Sequence, residues 1–466
     1  MVMAVSCTSP SSYIDGGGSR PSYYDSDIID YIDKRLTEEY YWLDEVVEKR
    51  SMFNRNTTWD RYLPSVLGML TTNEDDGGVN NKGVRAYYSY IKEIEDTTRA
   101  ATSGFGILLY YTIITFGDGR YGFIVTHVYE GSPAAEAGIC RGDIIRKVNG
   151  DYISQTNYQT LFNALAGGSI GSVRLELQRT TTESEQGGSY VVALERGSYE
   201  ESPVAHYEVI EWQGRRIAYL AYLSYDNDYD EELIAALASL QAEGFDEFVL
   251  DLRHNSGGNV LSAIALTSSL LGGEYEGSVL CELRRNPRNV SSNETSTCYL
   301  ENTGVNLGLK HVTILCSPYT ASASELTIMG LRGLDIPVTL IGATTEGKNC
   351  GMDVTRRTIG GKRLEYAPIT FICFNAKGVS DWGGGISPDV SLIEENSLGV
   401  TDKYYPMPRC DWGDIEYDVA LAAALRSITG ENIVVAATTR SDISAMEPVA
   451  TIPAPAGGIL LYEDGQ

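Results

Sequence analysis

Tyr319-Thr320-Ala321-Ser322-Ala323-Ser324-Glu325-Leu326 lies between an apolar, β-rich run and a stretch with helical spacing. Val312–Leu315 before it reads as a strand, and the residues from about Ala323 to Leu331 read as a helix. A serine on such a turn has two chemical advantages. Small neighbours let a substrate carbonyl come close, and the first N–H groups of the helix, which lack intrahelical acceptors, point at a developing oxyanion. A hydroxyl nucleophile also needs a base within reach. The four histidines, His127, His206, His254 and His311, all lie outside the stretch. Lys348 follows the next predicted strand, Val338–Ile341, in the loop Thr344-Thr345-Glu346-Gly347-Lys348. A lysine can act as base when burial lowers its pKa. Consecutive parallel strands deliver the loops at their C-terminal ends to one sheet edge, which would bring Ser322 and Lys348 together. Taken alone, the serine run also fits a plain helix cap through Ser322 or Ser324, and the lysine fits a solvated surface charge.

Outward from this turn the pattern alternates strand and helix. Ile217–Leu223 and Phe248–Leu252 read as strands. Leu233, Ile234, Leu237 and Leu240 line one helix face that Gly244 ends, and Val260–Leu271 reads as a helix after the turn Asn255-Ser256-Gly257-Gly258. Such alternation predicts an α/β core with a mostly parallel sheet. Upstream, from Ser103, the runs are short and β-like: Ile107–Tyr111, Gly122–Val128, Ile144–Val148 and Val173–Gln178, with helices at Ala134–Ala137 and Tyr158–Leu165 and a hairpin signal at Asn149-Gly150. Asp25 to about Thr98 has helical spacing through Ile28, Ile29, Ile32 and Leu36, then Tyr40, Tyr41, Leu43 and Val46, broken by a loop at residues 71–78. The fold class expected is α+β and multidomain.

Composition narrows the function. The 466 residues are 43% hydrophobic and 21% charged, a globular balance. A net charge of −27 repels phosphate backbones and anionic lipid heads, so nucleic acid is excluded as a partner. The eight cysteines and four histidines form no cluster at metal-ligand spacing, so neither metal nor cofactor is expected. Cys281 and Cys298 are placed to staple one excursion of the chain. No apolar run reaches the roughly 18 residues of a membrane span. Met1-Val-Met-Ala-Val-Ser-Cys7 reads as the end of a lipoprotein signal followed by a polar tether, so a lipid anchor at Cys7 is the one membrane link expected.

Taken in order, several motifs resemble the C-terminal processing (tail-specific) peptidase family over roughly residues 100–426. Thr320 to Glu325 resembles its nucleophile turn and Glu346-Gly347-Lys348 its lysine loop. Leu250-Asp251-Leu252-Arg253-His254-Asn255-Ser256-Gly257-Gly258 resembles its oxyanion loop, Gly385-Ile386-Ser387-Pro388-Asp389-Val390 its closing motif, and Asp418-Val419-Ala420-Leu421 its final helix. The resemblance implies a serine endopeptidase in which Ser322 attacks and Lys348 takes the proton. The N–H of Ala323, with one from Gly257 or Gly258, would hold the oxyanion. Residues 103–179 resemble a PDZ domain, and Gly104-Phe105-Gly106-Ile107 its loop for a peptide carboxylate. The resemblance further implies exported or partly unfolded substrates cleaved near their C-termini, and a periplasmic or lipid-anchored envelope location. The expected divisions are 1–23 tether, 24–100 helical domain, 101–197 PDZ-like domain, 198–426 peptidase core and 427–466 tail. The family often has Gln four residues after the lysine, and Met352 stands there instead. This departure supports an alternative, a catalytically inactive PDZ-type peptide-binding scaffold. His254 is a rival base, as in an ester hydrolase, and Ser324 a rival nucleophile.

Overall fold

The computed structural model describes residues 23–79, 85–94, 102–109, 112–115, 121–166, 170–179, 188–290, 292–392, 411–430, 447–451 and 459–462. Cys7 and the rest of the expected tether, except Tyr23, lie outside the described residues. Among the described residues no helix is long and apolar enough to cross a membrane.

The serine turn belongs to a six-stranded sheet ordered Val204–Trp212, Arg215–Tyr222, Glu247–Asp251, Val312–Cys316, Val338–Gly342, Val390–Ser391. The first pair is antiparallel and the other four are parallel. Side chains alternate between the two faces. Ala218, Leu220 and Tyr222 enter one core with the helices Asp230–Glu243, Val260–Leu270 and Ala323–Gly333. Ile217, Tyr219 and Ala221 enter another with Val419–Thr429. Burial on both faces explains why these strands read as continuous apolar runs. Leu421 and Leu425 are fully buried there, each worth about 2 kcal/mol of hydrophobic stabilisation.

A second sheet abuts the first, and sequence periodicity missed it. Its path runs Gly258–Asn259, Ile459–Tyr462, Cys350–Ile359, Ile369–Asn375, Val279–Arg285, Thr295–Tyr299, with Lys362–Ala367 and Tyr90–Glu93 branching from it. Most of its pairings are antiparallel. The mostly parallel sheet therefore describes one of the two core sheets, and the molecule's sheets as a whole are mostly antiparallel or mixed. Cys281 and Cys298 face each other directly across the Val279–Arg285 and Thr295–Tyr299 pair, as free thiols.

The N-terminal segment is helical at Tyr23–Glu39, Leu43–Lys49 and Trp59–Leu67 and then turns to strands at Gly77–Val79, Arg85–Tyr87 and Tyr90–Glu93. Its apolar face does not close on itself. Ile28, Ile32, Leu36, Leu63 and Val66 share one core with Met352, Val354, Leu364, Tyr366 and Ile369 of the second sheet. The PDZ-like region has its own core, with Phe105, Phe123, Val125, Ile145, Phe162 and Leu175 among its members. Its hairpin turns at Asn149 (φ 52°) and Gly150 (φ 92°), the left-handed pair that a two-residue turn requires. Two segments of the tail form strands: Glu447–Thr451 on the PDZ-like sheet and Ile459–Tyr462 in the second core sheet.

Candidate active site

Ser322 occupies the N-cap position of the Ala323–Gly333 helix but does not cap it. Its φ of 61° and ψ of −111° are left-handed for a residue that carries a Cβ, a strain of about 1–3 kcal/mol that recurs at functional turns. The side chain is buried, and among the described residues its hydroxyl has no hydrogen-bond partner. Ser324, the rival nucleophile, is engaged instead: its hydroxyl donates to the Asn255 carbonyl at 3.0 Å.

What joins the serine turn to the lysine loop is Glu325, one turn into the same helix. Its Oε2 accepts the backbone N–H of Ser322 at 2.8 Å and that of Lys348 at 2.8 Å. The two nitrogens can therefore be no farther apart than those two bonds laid end to end. Its Oε1 accepts the Gly347 N–H at 2.8 Å and the Thr345 hydroxyl at 2.5 Å. Glu325 is fully buried. Burial raises its pKa, and these four donors pull the other way. The signal was in the sequence: Ser322 followed three residues later by Glu325 is the spacing of a capping box.

Lys348 is 1% exposed. Burial lowers its pKa, opposed by Cys350, Asp76, Glu346 and Glu325. Its Nζ lies 4.2 Å from the centroid of the Tyr88 ring. Tyr88 in turn donates to Glu346 at 3.1 Å from 258 positions away in the chain. Asp76 is also fully buried, and burial raises its pKa to about 6 against hydrogen bonds from Ser89 and Tyr40 and the charge of Lys348. No local pattern could have pointed to Asp76 or Tyr88, because they arrive from the N-terminal segment. Met352, by contrast, packs in the core shared with the N-terminal helices; it is a packing residue there. The closing motif clamps the lysine loop: the Ile386 N–H donates to the Thr345 hydroxyl at 2.8 Å, and a Cβ on Gly347 would meet the Gly385 nitrogen at 2.5 Å.

The glycine loop completes the site. Gly257 (φ 102°) is pressed on the serine turn, and a Cβ there would lie 2.8 Å from the Ser322 Cβ and 2.9 Å from the Ala323 nitrogen. Its own N–H is taken by the Asn255 Oδ1 at 2.9 Å. Gly257 gives close approach to the serine turn, and Gly258 begins the short strand Gly258–Asn259. Ala323 begins the helix, so its N–H is among those without an intrahelical acceptor. The loop is anchored by Arg253, which makes paired bonds to Asp251 (3.0 and 2.6 Å) and Asp418 (2.9 and 2.6 Å). Asp418 also caps the final helix through the Ala420 and Leu421 N–H groups.

His254 lies edge-on to Trp412, with ring centroids 6.0 Å apart. Burial, with Arg141 and Arg253, lowers its pKa to about 3. So weak a base has little driving force to accept a serine proton near neutrality. Trp412 also donates to His127 at 3.2 Å and packs 4.1 Å from the Arg141 guanidinium. It thereby joins the PDZ-like region to the residue three places before Gly257. In the expected carboxylate loop, Gly106 (φ 78°) stands where a Cβ would meet the Ser132 Cβ at 2.0 Å, and Phe105 is buried. The carbonyls of Phe105 and Gly106 accept the Ala134 and Tyr129 N–H groups, each at 3.0 Å. Ile107 opens the strand Ile107–Leu109, and a Cβ on Gly104 would meet the Tyr199 hydroxyl at 2.9 Å.

Residues 216–392 match the model of Peptidase family S41 and residues 124–179 that of the PDZ domain. A "Probable CtpA-like serine protease" of Staphylococcus aureus (strain bovine RF122 / ET3-1) is 26% identical over 270 residues, covering 58% of this chain and 50% of the relative. One of the same name from Staphylococcus haemolyticus (strain JCSC1435) is 24% identical over 288 residues, 60% of this chain and 53% of the relative. The chain spans about half the length of the curated relatives it matches. In fold, it is similar to the crystal structure of a "Putative S41 protease" from Bacteroides fragilis NCTC 9343, with a TM-score of 0.66 and 24% identity over 86% of this chain and 97% of the other. The chain is thus similar to peptidase family S41 over residues 216–392, with a PDZ-domain match ahead of that region at residues 124–179.

Proposed function

We propose that this protein is a serine endopeptidase that uses a Ser322–Lys348 dyad on extended C-terminal tails of exported or partly unfolded proteins. The observation that carries the reading is the Glu325 carboxylate, which holds the backbones of Ser322 and Lys348 on one atom. Burial lowers the Lys348 pKa, so the neutral amine is available to take the Ser322 proton. Ser322 Oγ then attacks the scissile carbonyl, and the tetrahedral oxyanion forms against the N–H of Ala323 with one from Gly257 or Gly258. The lysine returns its proton to the leaving amine, leaving an acyl-enzyme on Ser322. Water, deprotonated by the same lysine, hydrolyses that ester and frees the serine. The PDZ domain selects the tail through the loop from Gly104 to Ile107. Export and a lipid anchor at Cys7 belong to the same reading; they rest on the N-terminal sequence and the kind of substrate.

The inactive-scaffold alternative draws on Met352 alone. With Tyr88 over the Nζ of Lys348 and Glu325 on its backbone, the lysine has other supports than a glutamine at that position. A fluorescent acyl-serine probe distinguishes the two readings. Wild type is expected to label, and Ser322→Ala and Lys348→Ala are not. Absence of labelling in wild type across the pH range would refute the dyad.

A further inference from the structure

Two backbone edges continue from the expected site loops: the short strand Gly258–Asn259, which continues the glycine loop, and Cys350–Ile359, which begins two residues after Lys348. In the sheet they are joined by a third strand from the chain's own tail. Ile459–Tyr462 runs parallel to both: Ile459 is level with Gly258 on one side and with Gly351 on the other, and Leu460 with Asn259 and Met352. A strand in that position presents alternate N–H and C=O groups to both neighbours, as an extended peptide substrate would.

A second stretch of the tail lies on the PDZ domain. Ile107–Leu109 and Thr112–Thr115 pair in succession with Tyr121–Val128 and so form one line of strand that starts at the loop from Gly104 to Ile107. Glu447–Thr451 adds to that line antiparallel, with Glu447 opposite Thr115 and Thr451 opposite Thr112. The tail therefore runs toward the loop. A peptide captured there by its terminal carboxylate and added to the same edge would run the same way.

We propose that the C-terminal segment is an intramolecular peptide ligand of this enzyme: Glu447–Thr451 takes the PDZ edge and Ile459–Tyr462 fills the catalytic groove in place of substrate. The inference rests on the proposed function and deepens it. It states how a substrate binds, as a strand parallel to Gly258–Asn259 and Cys350–Ile359, and names the competitor it must displace. Tethering gives that competitor an effective concentration on the order of millimolar, so a dilute substrate meets a groove that is mostly occupied.

The test uses the full chain with Leu460→Pro. Proline has no N–H and removes a ladder bond at the residue paired with both edges. Leu461→Pro is a second variant should the first not fold, and thermal unfolding checks both. Labelling of Ser322 by the acyl-serine probe is expected to be about tenfold faster in the proline variant, as expected when a tethered competitor is displaced. A synthetic peptide of residues 447–466 should return it toward the wild-type rate. Unchanged labelling in a folded proline variant, or no competition by the peptide, overturns the proposal. Binding of the fluorescein-labelled peptide to the double variant Ser322→Ala/Leu460→Pro needs no chemistry at Ser322. Peptide binding without any probe labelling of wild type or the single proline variant would sink the dyad and keep the tail site; labelling without peptide binding would do the reverse.

Discussion

Replacing Glu325 with glutamine tests the central claim, that one carboxylate aligns nucleophile and base. The substitution keeps the shape and removes the charge. An ionised carboxylate accepts at both oxygens, whereas an amide accepts at one and donates at the other. All four partners of Glu325 are donors, two on each oxygen. In either amide orientation two of them face an NH2 group. A buried donor left unsatisfied costs roughly 1–3 kcal/mol, so the pair costs on the order of 2–6 kcal/mol. Glu325 is a positioning residue, and the catalytic effect comes through displacement: a shift of about 1 Å between reacting groups can cost on the order of 100-fold. Loss of the anion also removes an interaction that favours the charged form of Lys348. The lysine then deprotonates at lower pH, and the alkaline-going rise in labelling moves toward acid. The assay is the rate of Ser322 labelling against pH, with thermal unfolding in parallel. Glu325→Gln that labels at the wild-type rate, with an unmoved pH profile and unchanged melting temperature, would refute the reasoning.

Other outcomes follow from the same geometry. Because Lys348 must be neutral to act and burial lowers its pKa, kcat/KM should rise with pH and level off below the ordinary lysine range; a rate independent of pH from 6 to 10 would count against the lysine base. Gly257→Ala places a methyl 2.8 Å from the Ser322 Cβ on a backbone with φ 102°, so labelling should fall at least tenfold, by displacement of the serine; wild-type rates would mean the loop is not seated on the turn. Burial pushes the Asp251 carboxyl up, but Arg253 and Tyr219 outweigh it and hold it at about 2. A depressed folded pKa gives stability that is present above the unfolded value, about 3.9, and lost as pH falls toward 2. Acid unfolding should therefore steepen in that window. Arg253→Met should destabilise by about 3–5 kcal/mol, since it strands two buried carboxylates; a loss under 1 kcal/mol would show that this network does not anchor the loop.

Much of the parallel core could be read from one dimension. Val312–Cys316, Val338–Gly342 and Glu247–Asp251 fall within a residue of their predicted spans, because burial on both faces makes such strands continuous apolar runs. The second sheet gave no such signal. Cys350–Ile359 mixes Asp353, Thr355 and two arginines with apolar residues, and the buried Asp353 is paired with Arg285. The N-terminal segment showed a helical face but not what it covers, since its core is completed by residues some 300 positions away. The tail carries no strong period, and its two strands come from backbone pairing with strands that only the fold assembles.

Local patterns along the chain specify the serine on a strand-to-helix turn, the lysine after the next parallel strand, and the glycine loop. Each is a local pattern, and parallel strands deliver their loops to one edge whatever else the chain does. Tertiary structure alone decided what makes that edge a site. It buried Lys348 under Tyr88 and beside Asp76, set Ser322 in a left-handed conformation with no partner for its hydroxyl among the described residues, and turned Glu325 from a helix-cap residue into the tie between two loops. Desolvation, strain and convergent hydrogen bonds arise only when distant segments pack together, so no window of sequence contains them.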